Sequence, residues 1–136
     1  MTLDCIRRKK LVLKDPLITP IGGGFCILSD EIAGLIGGLG MAPGANIGAH
    51  AAIFEAVHGS APDIAGKGLA NPLAVLLAAA LMLDHVGLTA QAARLRGAMD
   101  LVLNQDKVRT RDLGGAAGTR EFAAAVIRRI AEAAGS

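Results

Sequence analysis

Residues 52–72 read AIFEAVHGSAPDIAGKGLANP, and the changes of character inside this stretch set the organisation of the chain. Ala51 to Val57 is a short apolar run containing Ile53, Phe54 and Val57, the composition of a buried strand. His58 to Gly68 then places three glycines and a proline within eleven residues. Such a stretch cannot stay regular and reads as a long, irregular, polar loop. Asn71 followed by Pro72 marks a helix start: the asparagine side chain can accept from an orphan N–H, and proline suits the first turn. The apolar run Leu73 to Leu83 is eleven residues long and stops at Asp84 and His85. It falls short of the ~20 residues that cross a bilayer, so it reads as a buried helix ended by Gly87.

Downstream, Thr89 can cap a second helix on which Leu95, Met99, Val102 and Leu103 recur at core-facing spacing. After a loop from Asp106 to Gly118, Thr119 can cap a third helix. Phe122, Val126, Ile130 and Ala133 share one of its faces, with Arg128 and Arg129 near its C-terminal end. Three helices with one apolar face each need a sheet or a partner to cover them. Upstream, KLVLK (10–14) reads as a strand that turns at Asp15-Pro16, and PLITPIGGGF (16–25) as a loop. Ser29-Asp30-Glu31 can start a small-residue helix running to about Leu39, whose Gly34, Gly37 and Gly38 allow close helix contact. Gly40 to Gly48 reads as a second loop. No internal repeat is present.

Composition narrows the class. At 136 residues the chain has the length of one domain, and 52% hydrophobic residues with a mean hydropathy of +0.48 exclude a disordered polar chain. A formal charge of +2 gives no field that argues for nucleic acid or an anionic membrane, so neither is expected as a partner. Cys5 and Cys26 make neither a disulfide framework nor a zinc spacing. The basic segment Arg7 to Lys10 has no apolar run and cleavage site behind it. A cytoplasmic location is the expectation.

Neither G-x-G-x-x-G nor G-x-x-x-x-G-K-[ST] occurs, which disfavours a Rossmann or P-loop site. What does occur is a set of longer strings: SDEIAGLIGGLGMAPGANIG (29–48), AIFEAVHGSAPDIAGKGLANP (52–72) and TRDLGG (110–115). Together they resemble the C-terminal half of the NAD-dependent isocitrate dehydrogenases, in the isocitrate and isopropylmalate dehydrogenase family, over residues 27–130. LVLKDPLITPIGGGF (11–25) is similar to a strand and loop that lie far upstream in full-length members. The chain thus looks like a family member lacking its middle section, joined near residues 25 and 26. The resemblance implies a truncated α/β fold, helix-rich with few strands, forming a single domain over 1–136.

The same resemblance implies oxidation of a 2-hydroxy acid, isocitrate, by hydride transfer to NAD, with decarboxylation on Mg2+ or Mn2+. His58 and Gly59 match the family's adenine-side loop, Asp63 and Ile64 the pair associated with NAD, and Asn71 a residue beside the adenine. A carboxylate such as Asp63 would accept from a ribose 2′-hydroxyl and repel a 2′-phosphate. Gly44, Ala45 and Asn46 fall in a loop bordering that cofactor. Asp30 matches a metal-binding aspartate, but its companion position holds Cys26, a thiol ill-suited to a hard cation. Thr19 matches a threonine near substrate. No catalytic residue is assigned: the family's Ser-x-Asn motif, its substrate-clamping arginines and its Tyr and Lys acid/base pair have no match, and the chain contains no tyrosine. Little or no turnover is therefore expected of this chain alone. Two other readings stay open, a noncatalytic NAD-binding or dimerisation module and a family remnant that does not fold stably. 3-Isopropylmalate is the alternative substrate. The expected macromolecular partner is a second copy in a homodimer, or a full-length homologue.

Overall fold

A computed structural model of the chain describes residues 17–18, 24–25 and 41–133. Two short segments, β1 (Leu17–Ile18) and β2 (Gly24–Phe25), pair antiparallel. A second antiparallel pair, β3 (Pro43–Ile47) and β4 (Ala52–Ala56), is followed by three helices, α1 (Leu73–His85), α2 (Thr89–Asn104) and α3 (Thr119–Glu132). The expected strand at 10–14, the expected helix from Ser29 to Leu39, Thr19 and Asp30 lie outside the described residues.

The β3–β4 hairpin corrects the sequence reading of 40–48 as a loop. PGANI is a poor strand by composition, yet it pairs with AIFEA from Pro43↔Ala56 to Ile47↔Ala52. Gly48 N donates to Ala51 O at 2.9 Å to close the turn, and Val57 N donates to Ala42 O at 3.1 Å beyond it. Pairing thus overrides propensity, and proline is tolerated because it stands at the first position of the strand. β4 is also not fully buried. Ala52, Phe54 and Ala56 are half-buried while Ile53 and Glu55 face solvent, and the hairpin packs on α1, where the Phe54 ring lies 5.4 Å from that of His85.

The ends of α1 follow from local chemistry. Leu73 N donates to Asn71 Oδ1 at 2.9 Å, so the asparagine caps from one residue before Pro72. At the other end Gly87 (φ +81) takes left-handed angles, with Leu88 N donating to Leu83 O at 2.8 Å and Gly87 N to Asp84 O at 3.1 Å. These are the two bonds of a Schellman stop, which glycine makes without strain. α1 is not wholly buried as expected: Leu73, Ala74, Ala78 and Ala80 are covered, but Val75 and Met82 are exposed.

Packing proceeds in chain order, α1 on α2 and α2 on α3. The core joins Leu73, Ala98, Met99, Val102, Phe122, Ala125 and Val126, with Leu95, Leu103 and Ile130 packed at its margin. This confirms the stripes on α2 and α3 except at Ala133, which is exposed just past the helix end. Both threonine caps shift by one residue. Leu88 and Gly118 occupy the capping positions, while Thr89 and Thr119 are the first helical residues and cap nothing. At the base of α3, Asp106 accepts from Arg129 Nε at 2.9 Å and also from Arg129 Nη2.

Candidate functional site

The loop from His58 to Asn71 folds against the stretch Thr110 to Arg120, and a cleft of about 1150 Å³ opens between them. Its first wall begins with Ala61 in left-handed conformation (φ 41), then a 3-10 turn over Pro62–Ile64, then Gly66 and Gly68 at positive φ. The second wall is the TRDLGG segment. There Leu113 N and Gly115 N both donate to Thr110 O, at 3.0 and 2.9 Å, and Ala117 N donates to Arg109 O at 2.9 Å. Gly114 turns the chain at φ +75, and Gly115 passes so close to Arg109 that a Cβ would lie 2.0 Å from its carbonyl oxygen.

Three ties hold the walls together. Thr119 N donates to Gly68 O at 2.8 Å, the Thr119 hydroxyl donates to Ala70 O, and Asn71 Nδ2 donates to Asp112 Oδ2 at 2.8 Å. The Thr119 hydroxyl is therefore spent on the opposite wall, which is the physical reason it does not cap α3.

Of the residues expected from sequence, His58, Gly59, Ile64 and Asn71 line the cleft. His58 Nδ1 lies 3.0 Å from the Gly59 carbonyl oxygen, to which its Nδ1–H tautomer donates. Asp63 is exposed in the 3-10 turn after Ala61, next to Ile64 on the wall, and is not itself among the residues lining the cleft. Gly44, Ala45 and Asn46 are strand residues of β3 and are not among those lining this cleft; Asn46 Nδ2 donates to Glu55 Oε1 at 3.4 Å.

Sequence reasoning assigned no site role to Lys67, Arg111, Asp112, Thr119 or Arg120, all of which line the cleft. The TRDLGG string was their signal, but its approach to Asn71 spans 41 residues and no local pattern announces it. Three cations, one carboxylate, an imidazole and a carboxamide make a recognition surface. It suits a planar base carrying anionic phosphate groups. Among the described residues no group of three or more His, Cys, Asp or Glu could hold a metal ion, and no helix is long and apolar enough to cross a membrane.

The sequence pattern of the isocitrate/isopropylmalate dehydrogenases matches residues 23–126, which include both walls of the cleft. The chain belongs to that family. Within it, an isocitrate/homoisocitrate dehydrogenase of Thermus thermophilus is 58% identical over 104 residues, covering 76% of this chain and 31% of that relative. The human mitochondrial isocitrate dehydrogenase [NAD] subunit alpha is 54% identical over 105 residues, covering 76% and 29%. Among solved structures, isocitrate dehydrogenase from Methylococcus capsulatus superposes with a TM-score of 0.72 at 52% identity, over 76% of this chain and 31% of that one. The chain has the isocitrate dehydrogenase-like fold and spans about a third of the length of these family members.

Proposed function

We propose that the cleft is the adenosine-side subsite for NAD, and that the chain serves the NAD-dependent oxidative decarboxylation of isocitrate when a full-length homologue supplies the catalytic groups. The observation that carries this reading is the meeting of two distant family strings, 58–71 and 110–115, in one cleft with three cations. The names of the Thermus and human relatives support the substrate and the cofactor. NAD, when bound, supplies the hydride acceptor. His58 and Ile64 would flank the base, Asn71 would bond its edge, and Lys67, Arg111 and Arg120 would face the phosphates. Asp63, exposed beside Ile64, would accept from the ribose 2′-hydroxyl. Asp30 lies outside the described residues, so no step is assigned to Mg2+ or Mn2+.

Alone, the chain is proposed to bind without turnover, because it contains no tyrosine for the acid/base pair that the family resemblance calls for. Titration of isotope-labelled chain with NAD, followed by amide NMR, tests the binding claim. Shifts at His58, Gly59, Asn71 and Asp112 are expected; spectra indifferent to millimolar NAD refute it. Isocitrate-dependent NADH formation by the pure chain would refute the claim of inactivity.

A further inference from the structure

Past the 3-10 turn the first wall has little of its own to hold it. Lys67 N donates to Ile64 O at 3.1 Å, and the glycines on either side, Gly66 and Gly68, stand at positive φ. Among the described residues, the only hydrogen bonds to the backbone of Gly68, Leu69 and Ala70 come from a single residue of the opposite wall. Thr119 N donates to Gly68 O at 2.8 Å, and the Thr119 hydroxyl donates to Ala70 O. Thr119 is the first residue of α3, where an N–H has no acceptor inside the helix, so the bond to Gly68 takes nothing from α3. Its own position is set by the interior, because Phe122, three residues on, is fully buried. The approach is close as well: a Cβ on Gly118 would lie 3.1 Å from Gly68 O. Lys67 precedes the held segment, Asn71 follows it and Arg120 follows Thr119, and all three line the cleft.

We infer that Thr119 is a positioning residue for the dinucleotide, a two-point clamp that acts through the backbone of residues 68–70 to set Lys67 and Asn71 opposite Arg120. With the clamp in place the wall is ordered before the ligand arrives. Without it, that ordering is charged against binding. This rests on the dinucleotide reading and deepens it by naming what holds the site in shape.

The test is calorimetric titration with NAD, with helix content followed by circular dichroism, on the whole chain and three variants. Thr119→Ser keeps both donors, and Thr119→Val keeps the N–H alone. Thr119→Pro removes both, and proline suits the first helical position, the more so after Gly118 with φ −83 and ψ 168. NAD affinity is expected to fall roughly fivefold in Thr119→Val and roughly twentyfold or more in Thr119→Pro. Thr119→Ser should stay within about twofold of the parent, with the helical signal unchanged throughout. Should Thr119→Pro lose that signal, the comparison of Thr119→Val with Thr119→Ser decides alone. Unchanged affinity in Thr119→Val, binding by Thr119→Ser as weak as by Thr119→Val, or a helical signal that falls with affinity in Thr119→Val overturns the inference and leaves the dinucleotide reading standing. If the unaltered chain does not bind NAD, both fall.

Discussion

The TRDLGG turn contains two adjacent glycines that ought to respond to alanine in the opposite order from the one backbone angles suggest. Gly114 has φ +75, where an L-residue is strained, yet a Cβ there meets nothing within 4 Å. Alanine at 114 should cost about 1 kcal/mol, the ordinary penalty of a left-handed non-glycine residue. Gly115 has no such angle, but its Cβ would fall 2.0 Å from Arg109 O and 2.5 Å from Arg109 C. These are backbone atoms and cannot rotate away, so the strands of the turn must part by about 1 Å to restore even a 3.0 Å contact. That movement breaks Gly115 N to Thr110 O and Ala117 N to Arg109 O, both 2.9 Å. At about 0.5–1.5 kcal/mol per bond, with steric strain added, Gly115→Ala should lose roughly 2–3 kcal/mol. Because Asp112 lies inside the turn and lines the cleft, the proposed NAD binding should weaken with it. Urea unfolding of both variants is the assay. The reasoning is refuted if Gly114→Ala is the more destabilised, or if Gly115→Ala stays within about 0.5 kcal/mol of the parent.

Phe122 is fully buried at the centre of the core, and Phe122→Ala should lose about 3–5 kcal/mol in the same unfolding assay. Thr110 is also fully buried, and its hydroxyl has no partner among the described residues; Thr110→Val should therefore be neutral or raise the unfolding free energy by about 1 kcal/mol, and a clear loss would show that the hydroxyl is used. The hydrogen bond from Arg129 holds the Asp106 carboxyl below its ordinary range. With the folded value depressed, its contribution is present above the unfolded value near 3.8 and is lost as pH falls through the folded value. Asp106→Asn should lower stability at pH 7 and flatten the acid limb of a stability-against-pH curve; an unchanged limb would count against the pair.

What could be read from sequence was what local chemistry decides. Asn71, Pro72 and Gly87 mark the ends of α1 because caps and stops act within one turn, and the Phe122 and Val126 stripe on α3 survives because burial follows helical period. β3 was illegible for the opposite reason. Nothing within PGANI favours a strand; its pairing is set by AIFEA across the Gly48–Ala51 turn. The cleft divides in the same way. His58, Gly59, Ile64 and Asn71 belong to one continuous string, whereas Arg111, Asp112, Thr119 and Arg120 become site residues only when the chain returns. Thr119 shows the conflict directly, since its type says cap and its hydroxyl goes to Ala70 O.

The two walls are nonetheless supported in the same manner, and this bears on what the chain can do. Asn71 stands two residues before Leu73, and Thr119 three residues before Phe122; Leu73 and Phe122 are both buried members of the single core cluster. Each wall is therefore anchored about one turn from the cleft by a side chain that touches the shared interior, and the three ties across the cleft join groups whose positions that interior already fixes. Among the described residues, those lining the walls all fall within 58–120, and their placement depends on α1 packing on α2 and α2 on α3. Proton transfer and substrate clamping have no such local support here, for no tyrosine exists to carry the first. On the proposed reading, cofactor recognition by this chain is therefore physically separable from turnover.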